Sequence, residues 1–199
     1  MKELALHLLD IAENSVAAQA QNITISVYED HQADRLEMSV DDDGCGMDEA
    51  TVARVIDPFF TSRTTRKVGL GLPFLKQAAE ACNGNLQINS TPGKGTRVKV
   101  EFQHSHIDRM PLGDLAGTFL SLLIANPEIN WDFNYLVAGC VKTFKFESSP
   151  VTEALQGVPL TEPSILSYLR ESIESGVADV VSASPQPDRN PNSTESVRR

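Results

Sequence analysis

The feature that most constrains this chain is an abrupt change of character at residues 41–47. The stretch before it, Arg35-Leu36-Glu37-Met38-Ser39-Val40, alternates polar with apolar, the pattern of a half-buried strand. Three acids and two glycines then follow in Asp41-Asp42-Asp43-Gly44-Cys45-Gly46-Met47. This composition ends the strand in a loop whose backbone can approach a ligand closely, because glycine carries no side chain to obstruct it. An acid fixed at the end of a strand is a good acceptor for an exocyclic amine. The loop therefore reads as the floor of a nucleotide pocket, and the remaining segments are judged by whether they complete one.

Residues 2–19 read as one helix, with Leu4, Leu8, Ile11, Ala12, Ser15 and Ala18 on one apolar face. His7, Asp10 and Asn14 share another edge at spacings of three and four residues. A carboxylate and a carboxamide one turn apart suit a hydrated Mg²⁺ ion and a water, since Mg²⁺ prefers oxygen ligands. Taken alone, this edge reads equally as a solvated helix face. Residues 23–28 alternate as a second strand, and 29–34 read as a polar turn. A short helix over 48–55 leads to Asp57-Pro58-Phe59-Phe60-Thr61, whose paired phenylalanines suit a core anchor beside a mobile segment. Residues 61–68 carry Arg63, Arg66 and Lys67 and little that is apolar, which suits a short lid over phosphates or a solvated basic loop. Gly69-Leu70-Gly71-Leu72-Pro73 opens a helix to about Cys82. The free amides and positive dipole end there form an anion site. Strands over 85–89 and 97–102 follow, joined by Thr91-Pro92-Gly93-Lys94-Gly95-Thr96.

Together these segments resemble the Bergerat nucleotide-binding fold, shared by gyrase, heat-shock chaperones, histidine kinases and MutL-type mismatch-repair proteins. Leu9-Asp10-Ile11-Ala12-Glu13-Asn14-Ser15 resembles the N box, and Asp42-Asp43-Gly44-Cys45-Gly46 the first glycine box. Asp57-Pro58-Phe59-Phe60-Thr61 resembles the F box of histidine kinases. Gly69-Leu70-Gly71-Leu72 and Gly93-Lys94-Gly95-Thr96 resemble the second and third glycine boxes. The resemblance covers roughly residues 4–103 and is strongest toward the histidine kinase catalytic domain. It implies an α+β fold: a two-layer α/β sandwich of Bergerat type, a mixed sheet with helices on one face, plus a smaller C-terminal α+β extension. The expected cofactors are ATP and Mg²⁺. By position, Asp42 would bond the adenine amino group, and Gly46 would let the ring approach, with Gly44 and Met47 in the same loop. Asn14 would place an oxygen on Mg²⁺. The amides at Gly69, Leu70, Gly71 and Leu72 would hold the phosphates, with Arg63 or Lys67 closing over them and Thr96 at the pocket wall.

The departures are informative. Asp10 stands where histidine kinases commonly have asparagine, and where hydrolysing members and serine kinases have glutamate as a base. Aspartate keeps the carboxylate, one methylene shorter, and is the expected catalytic residue. Ala17 lacks a polar group common in relatives, and Lys67 replaces a glycine of the second box. The N box begins almost at Met1, so a reduced version with no sensor domain or preceding dimerisation helices is expected.

Beyond residue 103, a helix over 111–125, strands over 131–136 and 141–147 around Ala138-Gly139, and a helix over 162–175 are expected. This unit, 104–181, would extend the sheet or cover its open face, with a disordered tail over 182–199. His106-Ile107-Asp108-Arg109-Met110-Pro111-Leu112 resembles the phospho-acceptor box of histidine kinases, with the acid displaced by one place. His106 is thus a candidate acceptor, against the plain reading of a loop before a helix.

A net charge of −10 argues against nucleic acid and anionic membranes as partners. Cys45, Cys82 and Cys140 are too few and scattered for a disulfide framework or zinc site. No apolar run approaches the ~20 residues of a membrane span, and the start lacks a signal peptide, so a cytoplasmic location is expected. The functional expectation is a stand-alone protein kinase module passing the ATP γ-phosphate to a His or Ser of a partner protein. The alternatives are a slow ATPase or an ATP-sensing switch that regulates a partner by lid closure, and a homodimer stays open.

Overall fold

The computed structural model describes residues 3–56 and 71–183. The expected F box, the lid with Arg63 and Lys67, Gly69, Leu70 and nearly all of the tail lie outside these residues. The order of elements is α1 (Leu4–Ala17), β1 (Asn22–Asp30), β2 (Arg35–Asp42), α2 (Glu49–Val55) and α3 (Gly71–Ala81). Then come β3 (Asn85–Thr91), β4 (Gly95–Gln103), α4 (Leu115–Ala125), β5 (Asn130–Val137), β6 (Thr143–Glu147), α5 (Ser148–Ala154) and α6 (Pro163–Ser182).

The strands form one sheet in the order β3-β4-β2-β1-β5-β6. Every pairing is antiparallel except β1 with β5, so the sheet is mixed. Alternation along the strands decides its two faces, because successive side chains point to opposite sides. Ile23, Ile25, Val27, Leu36, Met38, Val40, Val98, Val100 and Phe102 are buried against the helices. The opposite face is polar: Lys99 sits 3.0 Å from Glu37 and 2.9 Å from Glu101 across the ladder. The result is the expected two-layer α+β sandwich, with helices on one face.

The chain beyond residue 103 extends this same sheet. β5 runs beside β1 in the register Ile23↔Trp131 to Glu29↔Val137, and Trp131, Phe133 and Tyr135 are buried. Phe119 of α4 stacks on Phe133 with ring centroids 5.2 Å apart and meets Phe146 edge-on at 5.5 Å. Buried aromatics of this size dominate local packing energy. The second half also finishes the first. The Leu4 and Ala5 amides, which no helix can satisfy internally, donate to the Pro111 and Leu112 carbonyls at 2.9 and 2.8 Å.

Four local expectations need correction. The helix expected over 111–125 starts at Leu115, because Gly113 adopts φ +78° and Asp114 caps the first turn through the Gly117 amide at 2.7 Å. The last helix continues past 175 to Ser182, its interior Gly176 lying against the ring of Phe144, and the tail expected from residue 182 begins inside it. The short helix α5 was not anticipated. The polar turn expected over 29–34 begins later, since β1 carries Glu29 into the sheet, where it is buried.

Candidate nucleotide-binding site

Asp42 ends β2, paired with Thr96 at the start of β4 and with Ile23 of β1. Its place in the alternation turns the carboxylate toward the helical layer. One oxygen accepts the Ser15 hydroxyl of α1 at 2.6 Å. The other accepts the Gly44 amide at 2.9 Å and the Thr96 amide at 3.2 Å. Three separate segments therefore orient one acid. A carboxylate has about four lone-pair sites, so this network leaves acceptor capacity for a further donor.

The glycine loop is held by the protein's own backbone. Cys45 donates its amide to the Ala18 carbonyl at 2.9 Å, and Gly93 donates to the Cys45 carbonyl at 2.8 Å. A Cβ on Gly44 would lie 2.8 Å from the Ala18 carbonyl oxygen. On Gly46, which adopts φ +64°, it would lie 2.0 Å from the Thr91 carbonyl oxygen. These glycines are thus required first for the crossing of the loop with α1 and the β3–β4 turn. The next residue, Met47, donates its amide to the Ser90 hydroxyl at 2.7 Å, and Ser90 bonds the Thr96 hydroxyl at 2.8 Å. Asp43 works differently: it takes the Gln21 and Asn22 amides at 2.7 and 2.9 Å and pins the α1–β1 loop. Burial pushes its pKa up, but the Asn22 side chain and these amides outweigh that and leave it below the usual carboxylate range.

Beside this network, between α2 and the β3–β4 hairpin, is an open cleft of about 720 Å³. Asp42 and Thr96 line it, together with Asp41, Ile88, Lys94 and Arg97. Burial raises the pKa of Asp41, against the pull of Arg97 at 3.3 Å. Sequence reasoning missed Ser90 and Ile88, although both fall on the alternating pattern of β3 beside the third glycine box.

On α1, Asp10 is half-buried and Asn14 exposed, one turn apart. A Cβ on Gly71 would lie 3.1 Å from the Asp10 carboxylate, so the helix edge carrying these residues faces the first turn of α3. Leu72, beside Gly71, packs against the core. His7 is buried, contrary to the expected polar edge; its Nδ1 has no hydrogen-bond partner among the described residues, and burial lowers its pKa.

His106 lies elsewhere. Its amide bonds the Gln103 carbonyl at 3.2 Å, and its Nδ1 accepts the Asp108 amide at 3.2 Å. Gln103 pairs with Arg35 at the end of β2 opposite Asp42. The strand from Thr96 to Gln103 spans roughly 23 Å at about 3.3 Å per residue. The segment resembling an acceptor box is a turn, and His106 stands at the far end of the sheet from the cleft.

Residues 2–106 match the family model described as histidine kinase-, DNA gyrase B- and HSP90-like ATPase. The chain is similar to the sensor protein kinase FleS of Pseudomonas aeruginosa, 45% identical over 89 residues, covering 45% of this chain and 22% of FleS. It is also similar to the signal transduction histidine-protein kinase AtoS of Escherichia coli, 31% identical over 96 residues, covering 48% of this chain and 15% of AtoS. The chain thus spans about a quarter or less of the length of the curated relatives it matches first. A solved N-terminal domain of a DNA repair protein matches in fold with a TM-score of 0.53 at 16% identity, covering 74% of this chain and 52% of that one. No helix among the described residues is long and apolar enough to cross a membrane. With the family model covering more than half of the sequence, the chain belongs to the histidine kinase-, gyrase- and HSP90-like ATPase family and carries a histidine kinase-like ATP-binding domain.

Proposed function

We propose that this chain is a protein kinase module that takes the γ-phosphate of ATP and passes it to a His or Ser of a partner protein. The observation that carries this reading is the coupling of Asp42 to both ends of the site. Ser15 bonds its carboxylate from the same helix that carries Asn14 and sets Asp10 against Gly71. One rigid helix therefore sets the spacing between a base-recognising acid and the start of α3.

In this reading Asp42 accepts the adenine amino group, with Thr96 and Met47 beside it. Gly44 and Gly46 keep the loop close to the ring. The amides at the start of α3, including Gly71 and Leu72, receive the phosphates, because a helix N-terminus offers unpaired N–H groups and a positive dipole end. Asn14 would offer Mg²⁺ a hard oxygen donor, and the ion would supply compensation of the phosphate charge. Arg63 and Lys67 would supply positive charge to the phosphates, and Gly69 and Leu70 further amides; these four residues lie outside the described ones. Asp10 accepts the proton of the attacking group as general base. Phosphoryl transfer needs chiefly this positioning and charge compensation. The acceptor belongs to a partner, because His106 stands at the opposite end of the sheet.

The position of Asp10 beside Gly71 also suits a second reading, a slow ATPase in which it activates water and nucleotide occupancy alters partner binding. Incubation with γ-labelled ATP separates the two. Asp10→Asn should lower both label transfer to co-purified protein and phosphate release by about 10²–10⁴-fold if Asp10 is the base. Unchanged transfer would exclude that role, and phosphate release without any labelled protein would favour the ATPase reading.

A further inference from the structure

At the end of the sheet remote from the cleft lies a cluster that nucleotide chemistry does not use. Glu29 occupies the inward row of β1 after Ile23, Ile25 and Val27, a row that otherwise buries only apolar side chains. It is itself 7% exposed. A carboxylate in such a row is retained only when it is paired or holds an ion. One of its oxygens receives the hydroxyl hydrogen bond of buried Tyr135 from β5. The other lies 2.6 Å from Nε2 of His104, just beyond β4. His31, in the β1–β2 turn, sets its ring edge-on to His104 with centroids 4.5 Å apart. One donor atom from each of Glu29, His31 and His104 falls within 4.8 Å of the other two.

We propose that Glu29, His31 and His104 form a binding site for a divalent transition-metal ion of the zinc class. Two imidazoles and one carboxylate are a donor set that Zn²⁺ accepts, with a fourth position left for water. Donors of a tetrahedral site at about 2.0–2.1 Å from the ion stand about 3.4 Å apart. The 2.6 Å contact between Glu29 and His104 therefore has to widen slightly, and the ion replaces the proton they share. The third donor has only to draw in from within 4.8 Å, which a turn side chain such as His31 can do. Tyr135 is the outer partner that fixes the carboxylate, the arrangement that tunes metal ligands generally. The site ties together the end of β1, the exit of β4 and, through Tyr135, the strand that extends the sheet. It clamps the ATP-binding half to the second half on the side away from the nucleotide.

The test is calorimetric titration of the full chain, stripped with chelator, with ZnCl₂, alongside thermal unfolding with and without the metal. Wild type should bind one ion and unfold at a higher temperature with it. Tyr135→Phe should weaken binding by about 10–100-fold while leaving a folded protein, and His31→Ala should weaken it by more. His31 is a turn residue, so its substitution keeps the test informative if Glu29→Gln or His104→Gln fails to fold. Co²⁺ substituted at the site should show no thiolate charge-transfer absorption. Absence of binding overturns the proposal, leaving Glu29, His104 and Tyr135 as a hydrogen-bond network alone. Binding unaltered in His31→Ala, or thiolate absorption from Cys45, Cys82 or Cys140, overturns it equally. Nucleotide affinity is measured on the same variants and should not change, which separates this site from the cleft.

Discussion

Replacing Asp42 with asparagine removes one charge while preserving the shape of the side chain, and the structure allows its two effects to be sized separately. Asparagine keeps a carbonyl oxygen for the Gly44 and Thr96 amides, now at 2.9 and 3.2 Å from the carboxylate. Its amide group then faces the Ser15 hydroxyl, now at 2.6 Å. That hydroxyl can turn to accept, because the Ile11 carbonyl lies 3.5 Å away to take its proton. Only the charge assistance of these bonds is lost, so the fold should weaken by no more than about 1 kcal/mol. Asp42→Ala instead strands both amides, each costing about 1–3 kcal/mol. For bound ATP, a hydrogen bond to a charged acceptor is worth about 1.5–3 kcal/mol, which corresponds to a roughly 10–150-fold rise in Kd. Calorimetric titration with a non-hydrolysable ATP analogue, paired with denaturant unfolding, reads both quantities. A Kd within about threefold of wild type would refute adenine recognition by Asp42. Equal destabilisation by Asn and Ala would refute the network that is said to orient it.

The glycine loop offers a matched pair. Gly46→Ala places a Cβ 2.0 Å from the Thr91 carbonyl oxygen, whereas Gly93→Ala, at a similarly positive φ, meets none of the described residues within 4 Å. Chemical denaturation should show about 1–2 kcal/mol lost at Gly93 and clearly more at Gly46; equal losses would mean that the crossing is not tight. His7 sets a pH dependence. Burial holds its folded pKa below the ordinary 6.5, so its contribution to stability is intact above about pH 6.5 and is lost as pH falls below that, by at most about 1.4 kcal/mol per pH unit. Unfolding curves at pH 7.0 and 5.5, chosen as roughly bracketing that window, should therefore differ less in His7→Leu than in wild type. Finally, His106→Gln should leave any acid-labile self-labelling from ATP intact. Loss of the label would instead indicate transfer between two copies of the chain.

Much of the architecture follows from local pattern. Period-two alternation marks the six strands that form the sheet, and the apolar stripe of α1 marks its buried face, because burial on one side imposes the same periodicity on residues and geometry alike. The order of the glycine-rich segments likewise points to the family, since each marks a place where backbone must pass close to something. What the alternation could not reveal is what the backbone passes close to. At Gly44 and Gly46 the near neighbours are Ala18 and Thr91, which are distant in sequence.

Other features are decided by pairing at long range. The parallel match of β1 with β5 makes the second half a continuation of the sheet, and no residue within either strand specifies its neighbour. The antiparallel register of β2 with β4 sends Thr96 to Asp42 and Gln103 to Arg35, and so carries the segment after Gln103 to the opposite end. Glu29 looks like a turn residue in sequence. It becomes a buried acid only because β1 extends to Asp30 and brings it against Tyr135 and His104. Sequence by itself determined which residues are apolar, where the backbone must be bare and which acids are available. Tertiary structure decided which of those acids share a site, because that depends on strand register, a cooperative choice made by the whole sheet.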